Sequence, residues 1–179
     1  MGRALTKGVA MIGVVRHVRA GLALSLLAGT SAVAQTSPAR RLTLEDGRRI
    51  AAEAQAHARS NGWHVVVAVL DAGGHAILLE RMDGTQTASV EVALAKARSA
   101  AAFRRPTREM ADWVAGGNVG LLALPGLVPV EGGLPLVVDG ETVGAVGVSG
   151  ATAVQDGEVA KVGAAAFTSR RDSPTERRP

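Results

Sequence analysis

Metal-ligating side chains are scarce in this chain: among 179 residues there are four histidines, four methionines and no cysteine. A metal ion must therefore be met by imidazole, carboxylate, thioether or hydroxyl, because disulfides, thiolate sites and cysteine nucleophiles are excluded. Past residue 34 the candidates are His57, His64, His75, Met82 and Met110, with weaker oxygen donors such as Thr107. His57 lies near Asn61-Gly62 at the end of a helical pattern, where a solvated imidazole sits comfortably against the helix dipole. His64 and His75 flank one strand. A turn at Asp71–Gly74 would pair Leu70 with His75 and His64 with Arg81, setting the two imidazoles about 20 Å apart at roughly 3.3 Å per residue. One ion within a subunit cannot hold both. His75, just after the Gly-Gly turn, is either a turn residue bonded to backbone or a ligand.

Acid-base and nucleophilic constellations are thin. Asp71, Glu80 and Asp83 gather around one hairpin, but carboxylates in such places cap turns or pair with a neighbour such as Arg81. Ser149 lies beside Gly150 without the spacing of a nucleophile elbow. Gly144-x-x-Gly147-x-x-Gly150 lacks the β-α-β context and the Lys-Ser/Thr pair of a phosphate cradle, so these glycines read as scaffold that lets backbone approach backbone. Asp156 and Glu158 open a helix, where the dipole favours them.

The elements that must position these residues alternate between two periods. Thr43 and Asp46 form a capping-box pattern that opens a helix over Leu44–Ser60. His64–Leu70 and Ala76–Arg81 make a hairpin across Asp71–Gly74, Ala88–Phe103 a second helix, and Thr107–Trp113 a short third helix with Thr107 as its cap. Leu134–Val138 and Thr142–Val148 return through Asp139-Gly140, a two-residue turn of type I′ character, and Asp156–Phe167 closes the domain as a helix. A further short strand is expected at Leu127–Val130. Hairpins in place of β-α-β crossovers define an α+β fold, a central antiparallel β-sheet flanked by helices in a single domain.

The ends have different characters. Arg16 and Arg19 precede the apolar run Ala20–Gly29, and Ser31-Ala32-Val33-Ala34 offers small residues before Gln35. This order predicts a signal peptide over residues 1–34, translated from Met1 or Met11, and a periplasmic or secreted mature protein. Residues 35–41 read as a linker, 42–168 as the domain and 169–179 as a disordered tail. Net charge is +4 overall, yet Leu42–Phe167 carries ten Lys/Arg against 14 Asp/Glu. With Trp63, Trp113, Phe103 and Phe167 as its aromatics, the domain has neither the basic face nor the stacking platform that nucleic acid requires.

Several blocks, taken in order, resemble one family. They are Val67-Ala68-Val69-Leu70-Asp71-Ala72-Gly73-Gly74-His75, Arg81-Met82-Asp83-Gly84, Ala95-Lys96-Ala97 with Ala100-Ala101-Ala102-Phe103, and Pro106-Thr107. Gly132-Gly133-Leu134-Pro135-Leu136, Asp139-Gly140 and Val143–Gly150 with Asp156 and Ala160 continue the series. Together they are similar to the GlcG/HbpS family of haem-binding proteins, which also supplies the C-terminal domain of PduO-type cobalamin adenosyltransferases. The likeness spans Leu42 to Phe167. It implies an α+β domain that assembles as a dimer or octamer, haem as cofactor, and a sensor kinase as partner, with redox or haem sensing as the role. It also implies that Thr107 lies close to the haem, although helix capping explains the same residue. Candidate iron contacts are then Thr107 and His75, and Arg104, Arg105 and Arg108 are candidate partners for the propionates, or else a solvated surface cluster. Other members accompany glycolate or propanediol metabolism, so an accessory protein or small enzyme of hydroxy-acid, diol or aromatic catabolism, holding an organic metabolite in the same pocket, is the alternative.

Overall fold

The computed structural model describes residues 41–169. Helix α1 (Leu44–Ser60) starts as the sequence dictates: the Thr43 hydroxyl accepts from the Asp46 amide, and the Asp46 carboxylate accepts from the Thr43 amide and hydroxyl. Strands β1 (Val66–Asp71) and β2 (Ala76–Arg81) form the first hairpin, and helices α2 (Ser89–Phe103) and α3 (Thr107–Ala115) follow. Strands β3 (Gly133–Val138) and β4 (Glu141–Ser149) form the second hairpin, and α4 (Ala153–Ser169) ends the domain. The four strands lie in the order β2-β1-β4-β3 with every pairing antiparallel, which is the expected α+β architecture.

Both faces of this sheet are covered, and the residues on them explain how. Val67, Val69, Val146 and Val148 point to α1 and α4, where they meet Ile50, Ala54, Val159 and Phe167. Val66, Ala68, Leu70 and Ala145 point the other way, toward Ala93, Ala97, Ala100 and Ala101 of α2. β1 is thus buried along nearly its whole length, and its unbroken apolar sequence reflects burial on two faces. The α2 layer is thin because its contacts are small. A Cβ at Gly147 would run into the backbone carbonyl of Ala93 and the amide of Ala97, so the helix rests directly on the strand.

Several local expectations need correction. The first hairpin pairs Val66 with Arg81, two residues out from the predicted register, and Leu70 with Ala76, one residue out, the difference being taken up by an irregularity between Val69 and Leu70. Its turn is longer because the Asp71 carboxylate accepts from the amides of Gly73 and His75 and holds both within the loop. Over Val66–Val69 the two-residue slip leaves each side chain on its face, so the core is unaffected. No strand forms at Leu127–Val130: the Val128 amide donates to the Ser99 hydroxyl, and Pro129 has no amide to give. Thr107 is the first residue of α3 with Pro106 in the cap position, and its hydroxyl is used elsewhere. Helix α4 begins three residues earlier than expected, as Thr152 and Gln155 exchange side chain to backbone hydrogen bonds at its start. The Asp139-Gly140 turn has positive φ at both residues, 50° and 82°, as type I′ requires. The leader at 1–34, nearly all of the linker at 35–41 and nearly all of the tail at 169–179 lie outside the described residues.

If the contact at Gly147 sets the spacing of α2, Gly147→Ala should lower stability by about 1–3 kcal/mol through forced separation of helix and strand. Urea unfolding should show this as a lower midpoint with an unchanged slope.

Candidate functional site

The sequence-predicted residues fall at two places. Gly133, on edge strand β3, pairs with Gly147 of β4, which pairs with Ala68 of β1, whereas His75 lies beyond Asp71 at the other end of β1. Two strand spacings and three residues separate Gly133 from Asp71, about 14 Å by ideal sheet geometry. Thr107 is bonded to Gly133 and His75 belongs to the Asp71 turn, so the fold does not bring these two candidates together within one chain.

At the first place, the β1–β2 turn, Ala72–Ala76 together with Arg98 and Ala102 of α2 line an open depression of about 510 Å3. The His75 side chain is 84% exposed, and its Nδ1 faces Asp71 Oδ1 at 3.4 Å. That same oxygen accepts from the Gly73 and His75 amides, each at 2.9 Å. The amide of His75, more than the others, holds the Asp71 carboxyl below its ordinary value, so it stays ionised behind the ring. A carboxylate behind Nδ1 favours a proton there and leaves Nε2 as the outward lone pair, an arrangement common among metal-ligating histidines. Arg104 ends α2 in the left-handed conformation at φ 53°, exposed, two residues past Ala102.

The second place is the end of β3. Thr107 is fully buried; its hydroxyl accepts from the Gly133 amide at 2.9 Å and lies 3.4 Å from the Gly133 carbonyl. The hydroxyl is thereby a tether between α3 and β3. Beside it, Pro106, Arg108, Glu109, Glu131, Leu134 and Lys161 line a cavity of about 250 Å3 whose floor is Gly132, Gly133 and Gly157. Arg108 donates to both oxygens of Asp112 and, at 2.8 Å, to Glu131, and these partners raise its already high basicity. Arg105 instead lies 5.2 Å over the Trp113 ring and pairs with Glu109 at 3.5 Å. Arg105 and Arg108 thus turn to different partners. Of the other histidines, His57 packs edge-on to Trp63 at 5.9 Å, and His64 Nδ1 bonds the Asp83 carbonyl at 2.7 Å.

Behind the glycine floor sits a pair that the sequence reading missed. Lys96 is 1% exposed, and its ammonium donates to Asp156 at 2.8 Å and to the Val148 carbonyl at 3.1 Å. Asp156 also accepts from the Ala151 amide at 3.0 Å. Burial pushes the Asp156 carboxyl upward, while the bond from Lys96 and the Ala151 amide pull it back only in part. Asp156 is therefore more than a helix-dipole residue. A signal was present: Lys96 falls on the stripe Ala93, Ala97, Ala100, where a lysine has to be paired inside. Glu131, buried and held by Arg108, carried no periodic signal because it lies in irregular chain.

An antiparallel four-stranded sheet with helices on both faces and two glycine-lined clefts defines the class, and comparison with known proteins gives the family. A family model described as "Haem degrading protein HbpS-like" matches residues 42–165, and the chain belongs to that family. Protein GlcG of Escherichia coli (strain K12) is 45% identical over 100 residues, 56% of this chain and 75% of GlcG. The crystal structure of a double mutant of Streptomyces reticuli HbpS superposes with a TM-score of 0.66 at 33% identity, over 74% of this chain and 90% of that one. The crystal structure of PduOC in complex with haem superposes with a TM-score of 0.65 at 30% identity, over 71% of this chain and 95% of that one. Among the described residues no helix is long and apolar enough to cross a membrane, and no group of three or more His, Asp or Glu could hold a metal ion.

Lys96→Met would leave the Asp156 carboxylate buried without its ammonium and should cost about 3–5 kcal/mol. Lys96→Met/Asp156→Asn, which also removes the charge, should recover a large part of that loss in denaturant unfolding at neutral pH.

Proposed function

We propose that the protein is an exported haem-binding protein and that His75 is its iron donor. The observation that carries this reading is His75 itself: an exposed imidazole with Asp71 behind Nδ1, lining the same depression as Arg98. Membership of an HbpS-like family and similarity to PduOC, which was crystallised with haem, support it. The depression of about 510 Å3 falls within the roughly 300–1,000 Å3 usual for organic ligands. Its openness leaves one face of a flat macrocycle for solvent or for a second subunit, consistent with a dimer or octamer. Arg98, which lines the depression from α2, and Arg104, just past the end of that helix, are the cations proposed to pair with propionates. Thr107 contributes by fixing α3 to β3, since its hydroxyl is fully buried and already bonded. Bound haem would supply a one-electron redox centre, the chemistry that redox or haem sensing with a sensor kinase requires.

Haemin titrated into purified protein should give a shifted Soret band. His75→Ala should move that band, because its position reports the iron's ligands, while Arg98→Ala and Arg104→Ala should weaken affinity with the band in place. Thr107→Ala should lower stability and leave the band where it was. A wild-type spectrum in His75→Ala together with a moved band in Thr107→Ala would transfer the iron to Thr107. Absence of any haemin binding would remove the haem reading altogether.

Export makes a separate prediction. Protein recovered from the native periplasm or medium should begin at Gln35 by N-terminal sequencing, and an intact leader on that material would overturn it.

A further inference from the structure

The cavity between α3, β3 and α4 is not needed for the haem reading, yet it has the features of a site. Its walls are mostly apolar, formed by Pro106, Leu134 and the backbone of Gly132 and Gly133. The glycines do not merely leave space. A Cβ at Gly132 would meet the Lys96 ammonium at 2.9 Å, and one at Gly157 would strike the Glu131 carboxylate, so the floor is fixed by contacts beneath it. Glu131 is a charged side chain only 7% exposed, with Arg108 at 2.8 Å on one oxygen and Lys161 at 3.6 Å from the other.

The hydrogen-bonding balance at the mouth decides what ligand would suit. Glu131 is already engaged as acceptor by Arg108. Arg108 spends Nε on Asp112 and Nη1 on Glu131, and its Nη2 makes no hydrogen bond among the described residues. Lys161 is 65% exposed, and its distance from Glu131 is an ion-pair contact beyond hydrogen-bond reach, so its ammonium makes no hydrogen bond among the described residues. Glu109 also lines the mouth, 3.5 Å from Arg105, so both carboxylates there are paired and the donors left over are those of Lys161 and Arg108. What is missing is an acceptor for those donors and an apolar body for the interior. A ligand that supplies both is a carboxylate on a compact apolar body.

We propose that this cavity binds a small free monocarboxylate, its carboxylate on Lys161 and the Nη2 of Arg108 and its apolar end against Leu134 and Pro106. A haem propionate offers the same head group, but about 250 Å3 lies below the usual range for drug-sized ligands and has no room for a tetrapyrrole. The site stands apart from His75 and does not depend on haem binding there.

Benzoate and isobutyrate are suitable probes, with benzamide as the neutral match for benzoate, followed by calorimetry or saturation-transfer NMR on the purified full chain. The expected result is that at least one acid binds in the millimolar range or tighter and that benzamide binds at least about tenfold more weakly than benzoate. Lys161→Met should weaken the acid by about tenfold, and Leu134→Trp, which fills the cavity, should abolish binding. Far-UV circular dichroism and the urea midpoint will show that both variants are folded, and Lys161→Arg, which keeps the charge, should retain binding if the first variants prove unstable. Haemin and the acid should bind without competing. Failure of both acids at millimolar concentration, equal binding of benzamide, indifference to Lys161→Met and Leu134→Trp, or competition with haemin would each overturn the proposal. None of these outcomes bears on the Soret shift of His75→Ala, so the two readings fail separately.

Discussion

Everything at the β3 end of this domain hangs on one buried ammonium. Lys96 reaches from α2 past the edge of the sheet to the Val148 carbonyl of β4 and the Asp156 carboxylate of α4, joining three layers at one point. A charge so buried is tolerated only with its partner and its remaining donors satisfied. Asp156 in turn fixes the loop before α4 through the Ala151 amide. Gly132 passes so close to the Val148 carbonyl and the same ammonium that a Cβ would lie 2.7 and 2.9 Å from them, and its φ of 126° likewise favours glycine. The path of Gly132-Gly133 then determines where the Thr107 hydroxyl finds its partner and where Glu131 is set down between Arg108 and Lys161.

The opposite end of the sheet is organised by local rules. Asp71 builds its own turn from side chain to backbone bonds and needs no contact from another layer to do so. That difference accounts for what sequence reasoning could and could not find. The Thr43–Asp46 cap, the bounds of α1, the Asp139-Gly140 turn and the close approach at Gly147 are encoded within a few residues or in a single residue type, and all were legible. The α+β class followed from the order of such local signals.

What was not legible depends on chain that is distant in sequence. Lys96 and Asp156 are sixty residues apart, and nothing near either one announces the other. Thr107 looked like a cap because threonine before a helix commonly is one, but the amide it serves belongs to Gly133 on another element. Arg105 and Arg108, neighbours in a basic run, go to different partners, Trp113 and Glu109 for the first and Asp112 and Glu131 for the second. Spacing along a chain is a poor guide to convergence wherever a helix ends and another begins within it.

One oxygen atom at the β1–β2 turn carries a double duty. Oδ1 of Asp71 accepts the two amides that shape the loop and also sits behind the His75 ring, so loop shape and ring orientation are not independent variables. Because those bonds hold the Asp71 carboxyl below its ordinary value, the arrangement is retained as the medium is acidified and is lost only as pH falls through that lowered value. Proton uptake there would release the loop and unseat the imidazole in a single step. The turn is therefore a joint in which one carboxylate sets both the path of the loop and the seat of the ring, while its outer face is left to respond to whatever chemistry arrives.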